Sequence, residues 1–245
     1  MQTNIIEIFS SVQGEGRYVG CRQLFVRFEG CNLRCGYCDT ENEAGAHLMC
    51  NVEIAPGARR FREIINPLDA NEAAAYINQF LLELPHQAVS LTGGEPLLQT
   101  RFLQELLPMI QGKIMLETNG TLPERLAEVL PLVDIISMDI KLPQNTGVDM
   151  WSKHKEFLQL AVDNHKDVYT KLVLPGDLVE EDFQKAVEVI AFVDDNTLLI
   201  LQPVTPMNGV PPIEPGRVLE LQQMALERLK DVRVIPQTHR MMDQL

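Results

Sequence analysis

The sequence has no apolar run of the roughly 20 residues needed to cross a bilayer. Its opening residues also lack the basic start and apolar stretch of a secretory signal. A soluble, cytoplasmic protein is therefore expected. Basic residues are in deficit, with 21 Lys and Arg against 34 Asp and Glu and a formal net charge of −13. Nucleic acid and anionic membrane both demand a basic surface, so neither is expected as a partner. Cysteine is scarce, five in 245 residues, and an odd count in a chain of this size argues against a disulfide framework. There is no low-complexity segment and no clear linker, which leaves a single domain over residues 1–245 with enough chain for a substantial core.

What is present is concentrated. Cys31, Cys35 and Cys38 fall within eight residues, and no fourth ligand stands beside them. Thiolates three and four positions apart on a loop can wrap one face of a small cluster, and iron–sulfur clusters are held by cysteine thiolates, usually four of them. Three would leave one iron open to a substrate. Zinc is the alternative, because a structural zinc takes four protein ligands and a catalytic one keeps a position open. The nearest additional candidates are Cys21, Cys50 and His47; Cys21 precedes an expected strand and Cys50 lies in a stretch without pattern, so both read as ordinary thiols.

Apolar, β-branched runs at 23–28, 88–92, 114–118, 135–139, 168–173, 198–202 and 232–235 have strand length. Between them, 70–84, 101–110, 123–130, 151–164, 180–193 and 217–229 carry apolar positions at helical spacing, with Pro123 marking a helix start. Such alternation gives parallel βα units. The expected class is α/β, a partial βα barrel of about six repeats, with an open doubly wound sheet as the alternative. Residues 41–66 break the rhythm and read as an insertion after the cysteine loop. It is a lid, a surface for an electron donor through Arg59, Arg60 and Arg62, or a structureless excursion.

Active sites of such barrels collect at the carboxyl ends of the strands, and those ends are polar here. Thr92, Gly93, Gly94 and Glu95 end the second run, Glu117 to Gly120 the third, and Ser137, Met138 and Asp139 the fourth, with Lys141, Lys171 and Gln202 on later segments. Such residues also end strands and cap helices for local reasons, which stays open for Asn119, Gly120 and Thr121. Glycine at 93 and 94 lets the backbone approach a ligand closely.

A three-cysteine loop after the first strand, followed by Gly93-Gly94-Glu95 after the second, resembles the radical S-adenosylmethionine (SAM) superfamily over nearly the whole chain. The resemblance implies a 4Fe–4S cluster on Cys31, Cys35 and Cys38 whose open iron is chelated by SAM, and one-electron cleavage of SAM to a 5′-deoxyadenosyl radical. It further implies SAM contacts from Tyr37, Cys38, Asp39, Gly94, Glu117, Ser137, Met138 and Asp139, with Thr92 between cofactor and substrate. Lys141 and Lys171 are either partners for acidic groups there or solvated lysines.

Within that superfamily, Ile8-Phe9-Ser10-Ser11-Val12-Gln13-Gly14-Glu15-Gly16, with Gly20, Phe25-Val26-Arg27-Phe28 and Cys38-Asp39-Thr40, is similar to the 7-carboxy-7-deazaguanine synthase family. That implies a pterin substrate, 6-carboxy-5,6,7,8-tetrahydropterin, against Val12, Gln13, Gly14 and Glu15, with Arg27 pairing bidentately with its carboxylate. It also implies Mg²⁺ joining Thr40 to that carboxylate. The implied reaction is a radical ring contraction by a carbon–nitrogen lyase, which loses ammonia, regenerates SAM and yields 7-carboxy-7-deazaguanine, a precursor of queuosine. A homodimer and a flavodoxin-type electron donor are implied as well. By residues alone, 13–16 is a glycine turn, Arg27 a salt-bridged strand residue and Thr40 a loop cap.

Pro236-Gln237-Thr238-His239-Arg240 is similar to a family tail that folds back toward the active site, while residues 241–245 depart from its proline-ended form. His239 is either catalytic or an anchor for that tail. Two rivals remain: a glycyl-radical activating enzyme, which needs a groove for a protein substrate, and a non-catalytic iron–sulfur carrier, which needs a fourth ligand. Cys35→Ala should abolish both cluster binding and turnover, whereas Thr40→Ala should keep the cluster and lose metal dependence. Iron content and a Mg²⁺ titration of turnover check the pair, and a Thr40→Ala chain stimulated normally by Mg²⁺ would remove that role.

Overall fold

The alternating runs assemble into a ten-stranded sheet in a computed structural model that describes residues 1–38, 45–206 and 209–244. Its strands, in chain order with the short ribbon strands β1 (Gln2–Thr3) and β6 (Leu68–Asp69), are β2 (Ile5–Val12), β3 (Arg22–Phe28), β4 (Met49–Glu53), β5 (Phe61–Ile65), β7 (Val89–Gly93), β8 (Ile114–Thr118), β9 (Ile135–Asp139), β10 (Asp167–Leu174), β11 (Leu199–Pro203) and β12 (Val232–Val234). The helices are α1 (Ala70–Glu83), α2 (Thr100–Leu106), α3 (Pro123–Val129), α4 (Pro143–Thr146), α5 (Trp151–Asp163), α6 (Glu180–Val193), α7 (Pro215–Leu226) and α8 (Thr238–Met241).

Helix boundaries follow local chemistry. Asp69 caps α1 by accepting from the Glu72 amide at 2.9 Å, and the Glu72 side chain returns to the Asp69 amide at 2.9 Å, which satisfies two orphan donors at once. Proline occupies the first turn of α3 and α7, where its missing N–H costs nothing. Glu180, Glu181 and Asp182 open α6 against the positive end of its dipole.

From β3 through β7, β8, β9, β10, β11 to β12 each neighbour is parallel, and α1, α2, α3, α5, α6 and α7 lie on the crossovers. Beyond β3 the sheet continues with β2 antiparallel, β4 parallel to β2 and β5 antiparallel to β4. β12 and β5 are the two ends of the strand order, so the sheet stays open as a partial barrel.

Strand parity divides the molecule. Leu24, Val26, Leu116, Ile136, Met138, Leu172 and Leu201 join the helices in the large core. Their alternate neighbours point to the opposite, concave face, where Met115, Ile135, Tyr169 and Ile200 form a small second core with Ala88 and Leu198. Moving along each strand from that small core toward the carboxyl end, the same parity gives Glu117, Asp139, Lys171 and Gln202. The apolar layer is therefore a floor beneath a polar mouth.

Two features differ from the sequence expectation. Ile5–Val12, read only as part of a motif, is a full strand beside β3. Most of the segment read as an insertion is a hairpin, β4 and β5, that extends the sheet, so the structureless reading of it is corrected there. Cys50 and Val52 anchor the hairpin in the core, and buried Glu53 accepts from the amides of Ser10 (3.0 Å), Gly57 (3.2 Å) and Arg59 (2.6 Å). The outer strand β5 is almost wholly exposed, which is why its sequence carries no strand pattern.

Gly93, the last residue of β7, has φ of 120°, and a Cβ there would lie 2.2 Å from the Phe28 carbonyl oxygen. Gly93→Ala should lower the unfolding free energy by about 2 kcal/mol or more, the scale of a strained backbone position plus a forced shift. An unchanged urea midpoint would contradict this close approach.

Candidate active site

The segment after β2 crosses the concave face and closes its floor. The Gln13 amide donates to the Cys21 carbonyl (2.8 Å), and its side-chain Nε2 donates to Gln23 (2.9 Å) and Glu117 (2.7 Å), while Oε1 accepts from the Glu15 amide (3.0 Å). Both amide hydrogens of Gln13 are thus spent on protein partners, which leaves a spare lone pair on Oε1 for a ligand. Gly16, at φ of 67°, passes directly beneath Tyr169, and Arg17 and Tyr18 both bond Asp167 at the start of β10.

A charged network stands on this floor. Lys171 on β10 contacts Glu15 at 2.5 Å and Asp139 at 3.2 Å, and Lys141 contacts the other Asp139 oxygen at 2.8 Å. Burial would lower both lysines, but Asp139, with Glu15 for Lys171, outweighs it and holds both well above the usual lysine value. Burial would likewise raise Glu15 and Asp139, and the lysines overcome it and hold both lowered. Every member is therefore charged at neutral pH. Both lysines belong to the site wall, so the reading of them as solvated surface groups is corrected.

The cysteine loop leaves β3 at Glu29 and Gly30. Cys31, Cys35 and Cys38 are partly buried, form no disulfide and stand on the wall of one cavity. Burial pushes Cys31 and Cys35 up, and the neighbouring thiols push in the same direction. Among the described residues no three His, Cys, Asp or Glu side chains, the three thiols included, converge tightly enough to hold a single metal ion; the thiols share the wall of one cavity. Three thiols on one cavity wall are the donor chemistry of an iron–sulfur cluster, which spreads its ligands wider than a single ion does, and ligation would release the thiol protons. Tyr37, partly buried in the same loop, is pushed up to about 12 by desolvation, and Lys141 lies 5.4 Å from its ring centre.

Two carboxylates tie this loop down. Glu29 accepts from the amides of Gly45 (3.0 Å) and His47 (2.8 Å), from the His47 ring (2.9 Å) and from Asn4 (2.8 Å), so the chain returns to the point where the loop began. His47 is thereby engaged away from the cysteines. Glu95, fully buried, accepts from Leu97 (3.1 Å), Thr118 (2.9 Å) and the Asn119 amide (2.8 Å), while its own amide donates to the Gly30 carbonyl (2.8 Å). It joins the ends of β3, β7 and β8.

The chain also folds back from its far end. Thr238 donates from its amide to the Gly14 carbonyl (2.9 Å), Gln237 donates to Glu15 (2.7 Å), and a Cβ on Gly14 would lie 2.1 Å from the His239 ring. Both Gln237 and His239 line the cavity.

Of the residues expected from sequence, Val12, Gln13, Gly14, Glu15, Arg27, Cys31, Cys35, Tyr37, Cys38, Thr92, Gly94, Glu117 and Asp139 surround this single cavity of about 220 Å³. Ser137 shares their face one layer deeper, whereas the Met138 side chain turns into the helix-side core and is not brought to the cavity. Asp39 and Thr40 lie outside the described residues. Arg27 gives its Nε to Glu7 at 2.7 Å, so the expected salt bridge and a free guanidinium end coexist. Gln202, expected as a polar strand end, lines the same cavity, whereas Thr205 there and buried His154 behind it were missed, and nothing in the sequence marks His154.

A partial barrel with three thiols at the mouth defines a class, and the sequence profile of the radical SAM superfamily matches residues 25–190. The chain belongs to that superfamily, which implies a 4Fe–4S cluster and SAM. A 7-carboxy-7-deazaguanine synthase of Geobacter sulfurreducens is 43% identical over 98% of this chain and 96% of its own length. Another, from Methanothermobacter thermautotrophicus, is 33% identical over 98% and 97%. The crystal structure of QueE from Escherichia coli shares the fold, with a TM-score of 0.61 at 19% identity over 97% of this chain and 94% of that one. The chain is a member of the 7-carboxy-7-deazaguanine synthase family, and its enzymatic class is that of a radical SAM lyase.

Two buried groups behind the site give stability opposite slopes with pH. Burial lowers His154 from 6.5 to about 4, so the unfolded chain binds the extra proton between those values and this contribution is lost as pH falls from 6.5. Burial raises Glu95 from 4.5 to about 7, so its contribution is full below 4.5 and is lost as pH rises through 7. In the cluster-free protein, His154→Gln should leave stability falling as pH rises, and Glu95→Gln should leave it falling as pH drops. Each slope amounts to about 3 kcal/mol at most. Urea unfolding across that range checks both, and parallel profiles for the two variants would contradict the assignment.

Proposed function

We propose that this chain converts 6-carboxy-5,6,7,8-tetrahydropterin to 7-carboxy-7-deazaguanine with loss of ammonia, using a 4Fe–4S cluster, SAM and Mg²⁺. The observation that carries the reading is that the three cysteines, the 13–15 segment and Arg27 share one cavity of small-molecule size. When bound, the cluster and SAM supply hydrogen abstraction from carbon through a one-electron step.

The protein's own groups bind and orient. In this reading Cys31, Cys35 and Cys38 ligate the cluster. Tyr37, Cys38, Asp39, Gly94, Glu117, Ser137 and Asp139 hold SAM, with Met138 contributing only its backbone. Glu15 stays ionised because Lys171 outweighs its burial, so it serves as an acceptor for pterin amino and ring N–H groups. Gln13 and Gly14 flank it, and Val12 and Thr92 bound the ring. Arg27 has its Nε held by Glu7, which leaves the two terminal amino groups to meet the substrate carboxylate. Thr40 would offer an oxygen to Mg²⁺, a cation that keeps several waters and takes its other ligands from substrate. The tail at 237–239, bonded to Gly14 and Glu15, walls the cavity from solvent.

The proposal extends to a cytoplasmic homodimer reduced by a flavodoxin-type donor. Exposed Arg59, Arg60 and Arg62 on the β4–β5 hairpin offer a local basic surface on an otherwise acidic protein. Neither nucleic acid nor membrane is part of this reading, and among the described residues no helix is long and apolar enough to cross a membrane.

Anaerobic reconstitution with iron and sulfide, followed by incubation with SAM, a reductant, Mg²⁺ and the pterin, should give the ring-contracted product by mass spectrometry. Formation of 5′-deoxyadenosine without any pterin-dependent product would overturn the substrate assignment while leaving the cluster and SAM in place.

A further inference from the structure

We infer that Asn119 sets the reduction potential of the cluster through an N–H···S hydrogen bond to Cys31. This rests on the reading of Cys31 as a cluster ligand. Asn119 lies just beyond β8, is 5% exposed, and holds its Nδ2 at 3.8 Å from the Cys31 sulfur.

The orientation of that amide is over-determined. Nδ2 also donates to Asn32 Oδ1 at 2.8 Å, and Oδ1 accepts from the Thr121 amide at 3.1 Å and the Thr121 hydroxyl at 2.5 Å. Turned over, the amide would set oxygen against Asn32 Oδ1 and nitrogen against the Thr121 N–H, so the flip is excluded by donor and acceptor count. The backbone is clamped as well: its N–H donates to buried Glu95 at 2.8 Å, and its carbonyl lies 3.2 Å from His154 Nε2. One Nδ2 hydrogen serves Asn32. The other has the sulfur.

A local cap would need only the bonds to Thr121. The contact with sulfur goes beyond that, because a ligating thiolate carries more negative charge after the cluster accepts an electron. A fixed donor therefore favours the reduced form and raises the potential, one of the levers by which proteins tune such clusters. The Leu33 amide, 3.4 Å from the same sulfur, is a second donor that no side-chain substitution removes. Asn119 is thus a positioning residue acting through Cys31, and the side-chain part of the tuning.

The test compares wild type, Asn119→Ala and Thr121→Val after anaerobic reconstitution, first by iron and sulfide content and then by a redox titration followed by electron paramagnetic resonance without SAM. Asn119→Ala should keep the wild-type iron content and lower the midpoint by about 59 mV, which for a one-electron couple is a tenfold change in the reduction equilibrium. Thr121→Val removes one of the two bonds to Oδ1 while the Thr121 N–H and Asn32 still orient the amide, and should lower the midpoint by much less. An unchanged midpoint in Asn119→Ala at full iron content would overturn the inference. Should that variant not retain the cluster, the similarly sized Asn119→Leu, which also lacks the donor, decides, and its unchanged midpoint at full iron content would be equally fatal. A wild-type chain that takes up no iron would instead overturn the ligand assignment beneath it, and iron analysis separates that outcome before any potential is read.

Discussion

Lys171 is the tie on which the site depends. It reaches from the middle of β10 to Glu15 on the floor segment and to Asp139 on the neighbouring strand. Without it, two carboxylates would face one another in a partly buried cavity. Removing one member of a buried charge pair costs on the order of 3–5 kcal/mol, because the partner is left uncompensated. Glu15 in turn holds Gln237, so a single ammonium group organises the floor segment, the end of β9 and the returning tail.

The cysteine side has a different construction. There the organising groups are carboxylates that accept backbone N–H groups, Glu29 gathering Gly45 and His47 to the start of the loop and Glu95 joining that same start to the end of β8. Ion pairs tie the floor and the end of β9 to β10, and amide-to-carboxylate bonds hold the cysteine loop and the ends of β3, β7 and β8. The first leaves charged side chains facing a ligand; the second consumes its charges inside the scaffold and leaves thiols.

Much of the architecture could be read from residues alone because strand parity and strand ends obey simple rules. The runs 114–118 and 135–139 are observed with those bounds, and Glu117 and Asp139 emerge on the mouth because they share a face with Met115 and Ile135. The same parity sends Met138 the other way, which a list of strand-end residues does not distinguish. The Ile5–Val12 strand was obscured by its motif, and β5 has too little burial to leave a pattern. Charge pairing across 156 positions, as between Glu15 and Lys171, leaves no mark in local sequence at all. His154 likewise looks like any polar residue on a helix until its neighbours, Asn119 and Lys141, are in place.

The bond between Thr238 and Gly14 joins segments 224 positions apart. During synthesis the strands, the cysteine loop and the whole concave floor leave the ribosome before the residue that roofs them. A nascent chain therefore presents its thiols in an unroofed basin, and only the arrival of residues 237–239 turns that basin into a chamber. The last few residues of the fold thus decide how open the thiol-lined cavity is, although they carry none of its thiols.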